Sequence, residues 1–187
     1  MKVPASDRRT ALLVVDIQPA FVNDRIAYIV SNCQKLLSSR NYEFIAAGHI
    51  YAEADSLWAK QHGWTASPDG NLLTVEPLGS RLKELGAVSI KKTTRSLFKG
   101  DPSLSELLLS AQIEEVHIVG LDTYDCVTAT AHEAFDLGFF TYVIEECCQC
   151  TSGQELHDRA VENLRFVNLT NNSCREQIPV DDVDLGG

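Results

Sequence analysis

Residues Val116 to Leu137, VHIVGLDTYDCVTATAHEAFDL, decide how the rest of the chain is read. An apolar run closes at Gly120, a polar turn follows, and Cys126 opens a segment with helical spacing. That order places a thiol at the carboxyl end of a buried strand and at the first turn of a helix. Ligands of open α/β sheets bind in the crevice at that end of the strands. Helix N-terminal amides favour thiolate over thiol, so position makes Cys126 a candidate nucleophile with an expected lowered pKa. The competing reading is a small buried hydrophobe, a common fate of free cysteine.

Outward from this stretch the same alternation repeats. Thr10 to Asp16 is a short apolar run with β-branched residues, the pattern of a central strand covered on both faces. A helix is expected over Arg25 to Ser38, with Asp24 able to cap it, and strands over Glu43 to Gly48, Ala87 to Lys92 and Phe139 to Glu145. Helices are expected over Glu76 to Leu85, Pro102 to Ala111 with Asp101 as cap, and Gln154 to Arg165, then a sixth strand over Phe166 to Leu169. His49 to Asn71 is less regular, and a loop of that length suits a lid or substrate wall. Alternating strands and helices predict an α/β fold, a parallel sheet with helices on both faces in one doubly wound domain over residues 1–187. The acidic tail at about 179–187 is expected to be mobile.

A net charge of -10 speaks against nucleic acid as partner and gives no support for docking on an anionic membrane. No stretch has the length of a membrane span, and the run Ala11 to Val15 is too short for a secretory signal. Six cysteines without such a signal read as free thiols in a reducing cytoplasm. Cys147, Cys148 and Cys150 lack the paired partners of a zinc site and read as buried strand-end thiols.

In this architecture Asp16, Lys92 and Cys126 all arrive at the carboxyl ends of strands. A carboxylate, an ammonium and a thiol within reach of one another are a complete set for nucleophilic attack on a carbonyl or imine carbon. Each also has an innocent reading: a turn former, a solvated strand end, a core residue.

Three motifs, ALLVVDIQPAF from Ala11, KTTRSLF from Lys92 and VGLDTYDCVTATAHEAFDLGF from Val119, carry a family signal. The chain resembles the isochorismatase-like cysteine hydrolases, a superfamily that includes nicotinamidases, N-carbamoylsarcosine amidohydrolases, ureidoacrylate and biuret hydrolases, and isochorismatases. The resemblance covers about Thr10 to Asn168. It implies a three-layer fold with a six-stranded parallel sheet, and a homodimer or homotetramer. It makes Asp16 the proton acceptor, Cys126 the nucleophile, and Lys92 rather than Lys91 the catalytic lysine, because Lys92 keeps the family's spacing to Ser96 and Phe98. It also implies a cis peptide at Leu121-Asp122 and an oxyanion hole from the amides of Asp122 and Cys126.

Two departures bear on the substrate. In GHIYAEADS, from Gly48, His49 stands where nicotinamidases place a metal-binding aspartate, and Tyr51 and Asp55 stand where they place histidines. The metal site is therefore expected to be lost and no cofactor needed. Asp122 and Asp125 bracket the cysteine where smaller or apolar residues are usual; at least Asp125 is expected to turn from the sulfur, since negative charge there opposes thiolate formation. The expected activity is metal-independent hydrolysis of a small amide or ureido carbon-nitrogen bond through a thioester. Phe21, Trp64, Phe98 and Tyr124 are the expected pocket walls. The rivals are vinyl ether hydrolysis of the isochorismate type, and an idle family member serving as a binding or scaffold protein.

Overall fold

The computed structural model describes residues 6–68 and 73–172. The acidic tail, Cys174 and part of the His49 to Asn71 segment, including Gly70 and Asn71, lie outside the described residues. Five strands, β1 (Thr10–Val15), β2 (Phe44–Ile50), β3 (Val88–Lys92), β4 (Glu115–Gly120) and β5 (Phe140–Cys148), form one sheet in the order β3-β2-β1-β4-β5. Every pairing is parallel. The chain first builds outward from β1 through β2 to β3, then returns to add β4 on the other side of β1. The order reverses between β1 and β4, where the carboxyl ends of these strands open a crevice.

β1 is buried along its whole length, as its unbroken apolar sequence requires of a central parallel strand. Alternate residues feed two cores. Leu12 and Val14 pack with α1 (Tyr28–Ser39) and α3 (Leu78–Glu84) on one face. Ala11, Leu13 and Val15 pack on the other with α4 (Leu104–Ser110), α5 (Thr128–Asp136) and Leu164 of α6 (Gln154–Phe166). In α1 the buried residues Ile29, Val30, Cys33, Leu36 and Leu37 recur at helical spacing and form its core stripe. A short helix, α2 (Leu57–His62), interrupts the segment after β2. Among the described residues no helix is long and apolar enough to cross a membrane.

The sheet has five strands, not the six expected. Helix α6 continues through Phe166, anchored by buried Leu164, and Asn168 at φ 63 turns the chain out of it. What remains of the expected strand is a single parallel bridge between Val143 and Thr170. A four-residue run competing with an established helix had too few ladder bonds to win.

Smaller corrections have local causes. Helix α1 starts at Tyr28 with no side-chain cap, because Asn23 rather than Asp24 makes the local turn, its Oδ1 accepting from the Arg25 amide at 3.0 Å. Asp101 caps no helix; its backbone bridges Lys91 instead. Strand β5 runs on to Cys148, so Cys147 and Cys148 lie within it. Like Cys33, Cys126 and Cys150, they are buried.

Candidate active site

Asp16 ends β1 with φ 51, a left-handed conformation that aspartate tolerates better than most side chains. The turn aims its carboxylate into the crevice, where it is 1% exposed. Gln18 completes the strand end from the side. Its Nε2 donates to the Ile50 carbonyl at 3.0 Å and its Oε1 accepts from the Ile50 amide at 2.7 Å, as a neighbouring strand would.

Lys92 closes β3, and alternation puts it on the same face as Ile90, while Lys91 is exposed. The Lys92 ammonium donates to Asp16 Oδ2 at 2.7 Å and to the carbonyls of Thr94 and Arg95 at 3.0 and 2.9 Å. All three of its protons are thereby used, and the loop after β3 is wrapped around the amine.

Cys126 arrives from β4. Gly120, at φ 127, ends that strand, and a Cβ there would lie 2.0 Å from the Val15 carbonyl oxygen. Only glycine allows β4 and β1 to close against each other at this point. The Leu121-Asp122 peptide bond is cis. Thr123–Val127 then form a π-helical turn that leads into α5, so Cys126 sits inside this turn. The Thr130 hydroxyl holds the turn in place, donating to the Cys126 carbonyl at 2.7 Å and accepting from the Leu97 amide at 3.1 Å.

Carboxylate, ammonium and thiol thus converge from three strands. The Asp16 carboxylate lies close enough to the thiol to raise its pKa. Yet Asp16 Oδ1 is buried with no hydrogen bond formed among the described residues. Burial raises the Asp16 pKa, opposed by the charge of Lys92. Burial also pushes the Cys126 thiol well above its ordinary value, with Asp16 adding to the effect. This corrects the expectation of a lowered thiol pKa: desolvation and the neighbouring carboxylate outweigh the helix terminus, and the resting sulfur is a thiol.

A cavity of about 360 Å³ opens over the sulfur and over Asp16. Phe21 and Trp64 line it, stacked at 5.7 Å between centroids, and Trp58 meets Trp64 edge-on at 5.6 Å. Tyr124, Leu121 and Thr151 complete its wall. Phe98 does not line it. The short turn Leu97–Lys99, capped by Ser96, rotates that ring into the core, where it stacks on Phe139 at 6.1 Å.

Both unusual aspartates line the cavity, each held by its own partner. Asp122 accepts from the Thr151 amide at 2.7 Å and from the Thr151 hydroxyl at 2.6 Å. Asp125 pairs with Arg95, whose guanidinium lies over the Trp58 ring at 4.4 Å. Trp58, Arg95 and Thr151 are the participants that sequence reasoning missed. Arg95 has a signal in the sequence, as the second charged residue of the KTTRSLF motif beside Lys92.

The donor set does not fit the divalent metal of the nicotinamidase branch. His49 lies on the sheet face away from the thiol, among Ile45 and Ala47. Its Nε2 and Nδ1 are engaged by the hydroxyls of Thr74 and Ser89 at 3.0 and 3.2 Å, and Asp55 is exposed. Among the described residues no group of three or more His, Cys, Asp and Glu could hold a metal ion.

An α/β sheet with a polar crevice at its switch point defines the class of protein. The chain belongs to the isochorismatase family: the isochorismatase domain matches residues 10–174. It is 28% identical to the uncharacterized isochorismatase family protein YrdC of Bacillus subtilis over 176 residues, spanning 88% of this chain and 86% of the relative. Among solved structures it is similar to the nicotinamidase PncA of Bacillus subtilis, at TM-score 0.69 and 19% identity, covering 85% of this chain and 96% of that one. The PnC1 protein of L. infantum in complex with nicotinate gives TM-score 0.73 at 17% identity, covering 91% and 95%. At these identities the structural likeness establishes the fold.

Proposed function

We propose that this protein hydrolyses the carbon-nitrogen bond of a small amide or ureide, with Cys126 as nucleophile, Asp16 as proton carrier and Lys92 as the charge that keeps Asp16 ionised. The observation that carries this reading is the buried 2.7 Å contact between Lys92 and Asp16 beside a thiol that opens onto the cavity. The neutral thiol gives its proton to Asp16 as sulfur attacks the carbonyl carbon. A carboxylate whose pKa is raised toward neutrality is a better partner for that transfer than an ordinary one. The oxyanion that forms faces the backbone amides of Asp122 and Cys126. As the tetrahedral centre collapses, Asp16 returns the proton to the departing nitrogen, which leaves as amine or ammonia. Water then attacks the thioester carbon and yields its proton to Asp16. The acid is released and the thiolate is reprotonated from Asp16.

Ammonia release over a panel of small amides and ureides tests the reading, with Cys126→Ala and Asp16→Asn run beside the wild type. Either substitution is expected to lower turnover about a thousandfold. An acyl adduct on the wild-type protein should appear in the intact mass and vanish in Cys126→Ala. Full activity in Cys126→Ala overturns the covalent route.

A further inference from the structure

The cavity over Cys126 has an uneven charge balance. Lys92 neutralises Asp16, and Arg95 neutralises Asp125. Asp122 receives only the neutral donors of Thr151, and among the described residues no ion pair reaches it. Among the described residues, none of those lining the cavity is a lysine, an arginine or a histidine. Its aromatic walls are Phe21, Trp58, Trp64 and Tyr124, with the Arg95 guanidinium over the Trp58 ring. A carboxylate beside aromatic faces stabilises an organic cation by direct attraction and by cation–π contact. The excess of carboxylates among the described lining residues repels an anion, and Lys92 and Arg95 are each already paired with one of those carboxylates.

Resting on the amide-hydrolase reading, we infer that the substrate carries a positively charged group, held by the Asp122 carboxylate and the Phe21 and Trp64 rings, and carries no carboxylate. The unpaired burial of Asp122 has a visible cost: desolvation holds its carboxyl above the ordinary carboxylate value, ahead of the relief from Thr151. A bound cation removes that cost. The arrangement of charge therefore disfavours the acid-bearing substrates within the family resemblance, including N-carbamoyl amino acids and isochorismate.

Three amides of similar size separate charge from shape: trimethylammonioacetamide, its uncharged isostere 3,3-dimethylbutanamide, and the monoanion malonamate. The wild-type protein is expected to release ammonia from the cation with kcat/KM about tenfold above the isostere, and from malonamate more slowly than from either. In Asp122→Asn the cation-to-isostere ratio should fall toward one, with the isostere serving as the internal reference for any change in the oxyanion turn. Binding of the same three compounds, read by the fluorescence of Trp58 and Trp64, separates this inference from the chemistry. If no amide is hydrolysed but the binding order remains cation, isostere, anion and collapses in Asp122→Asn, the hydrolase reading fails and the charge selection stands. Equal or better binding or turnover of malonamate overturns the inference, as does a cation preference that survives Asp122→Asn.

Discussion

The Lys92 ammonium lies 2.7 Å from Asp16 Oδ2 although the strands that carry them are not neighbours, since β2 runs between β1 and β3. β3 extends past the end of β1, with Lys92 in register with Ile50 while Val15 is in register with Gly48. The lysine stem crosses the end of β2 to reach the carboxylate. Both side chains are fully or almost fully buried, 0% and 2% exposed, so removing one partner strands a charge in a medium that solvates it poorly. Lys92→Met is expected to destabilise the fold by about 3 kcal/mol or more. Adding Asp16→Asn should restore part of that loss. Urea unfolding of the three proteins checks it, and a double variant no more stable than Lys92→Met refutes the coupling.

The thiol at rest should be sluggish toward alkylation. Because burial and then Asp16 hold the Cys126 pKa up, iodoacetamide labelling of this residue should have its midpoint above that of a solvated cysteine. Asp16→Asn removes a neighbouring negative charge, so the midpoint should move down. Peptide mapping across a pH series isolates the Cys126 signal from the other buried thiols. A midpoint that stays fixed or rises in Asp16→Asn contradicts the proposed proton exchange.

Acidification should weaken the fold through His49. Burial, followed by the charge of Lys92, lowers its pKa from 6.5 to about 4. Between these values the unfolded chain binds a proton that the folded chain refuses. The stabilisation is therefore present above the unfolded pKa and is lost as pH falls toward the folded one, on the order of 3 kcal/mol in all. Unfolding free energies at about pH 7.5 and about pH 5 should differ more in the wild type than in His49→Gln, by about 2 kcal/mol. Equal pH dependence in the two proteins counts against a neutral buried imidazole.

Two glycines offer a matched comparison. Both Gly120 and Gly138 have positive φ, but a Cβ at Gly120 meets backbone at 2.0 Å whereas one at Gly138 meets nothing within 4 Å. Gly138→Ala should cost about 1 kcal/mol, the conformational penalty alone. Gly120→Ala should cost about 3 kcal/mol or more, or prevent folding, because β4 must move from β1. Thermal unfolding ranks them, and a similar cost at both positions would dispose of the steric argument.

The sequence makes the central strands legible because their burial leaves a trace: Ala11 to Val15 of β1 and Ile118 to Val119 of β4 are apolar, and the residues that end these strands, Asp16 and Gly120, have a chemical reason to stop a strand. The motif spacing that favours Lys92 over Lys91 corresponds in the structure to opposite faces of β3. What could not be read depends on side-chain direction and on competition between local structures. Phe98 sits in a motif but faces the core, because a single turn capped by Ser96 sets its rotation. Phe166 to Leu169 has strand-like residues, but helix α6 claims the first of them. Trp58 reaches the cavity by a packing relation with Trp64 that no periodicity reports. The rise in the thiol pKa needs the depth of the sulfur, a quantity absent from a strand-turn-helix pattern.

Because the Lys92 amine also holds the carbonyls of Thr94 and Arg95, one side chain joins two tasks that other enzymes can vary separately. The loop it gathers presents Arg95 to Asp125 and Trp58, two residues that line the cavity. A substitution that removes the amine therefore also releases the loop that positions Arg95. Phe21, Asp122 and Tyr124 line the same cavity from other segments, so substitutions there leave the lysine's three bonds intact and are the positions at which ligand choice can be altered alone.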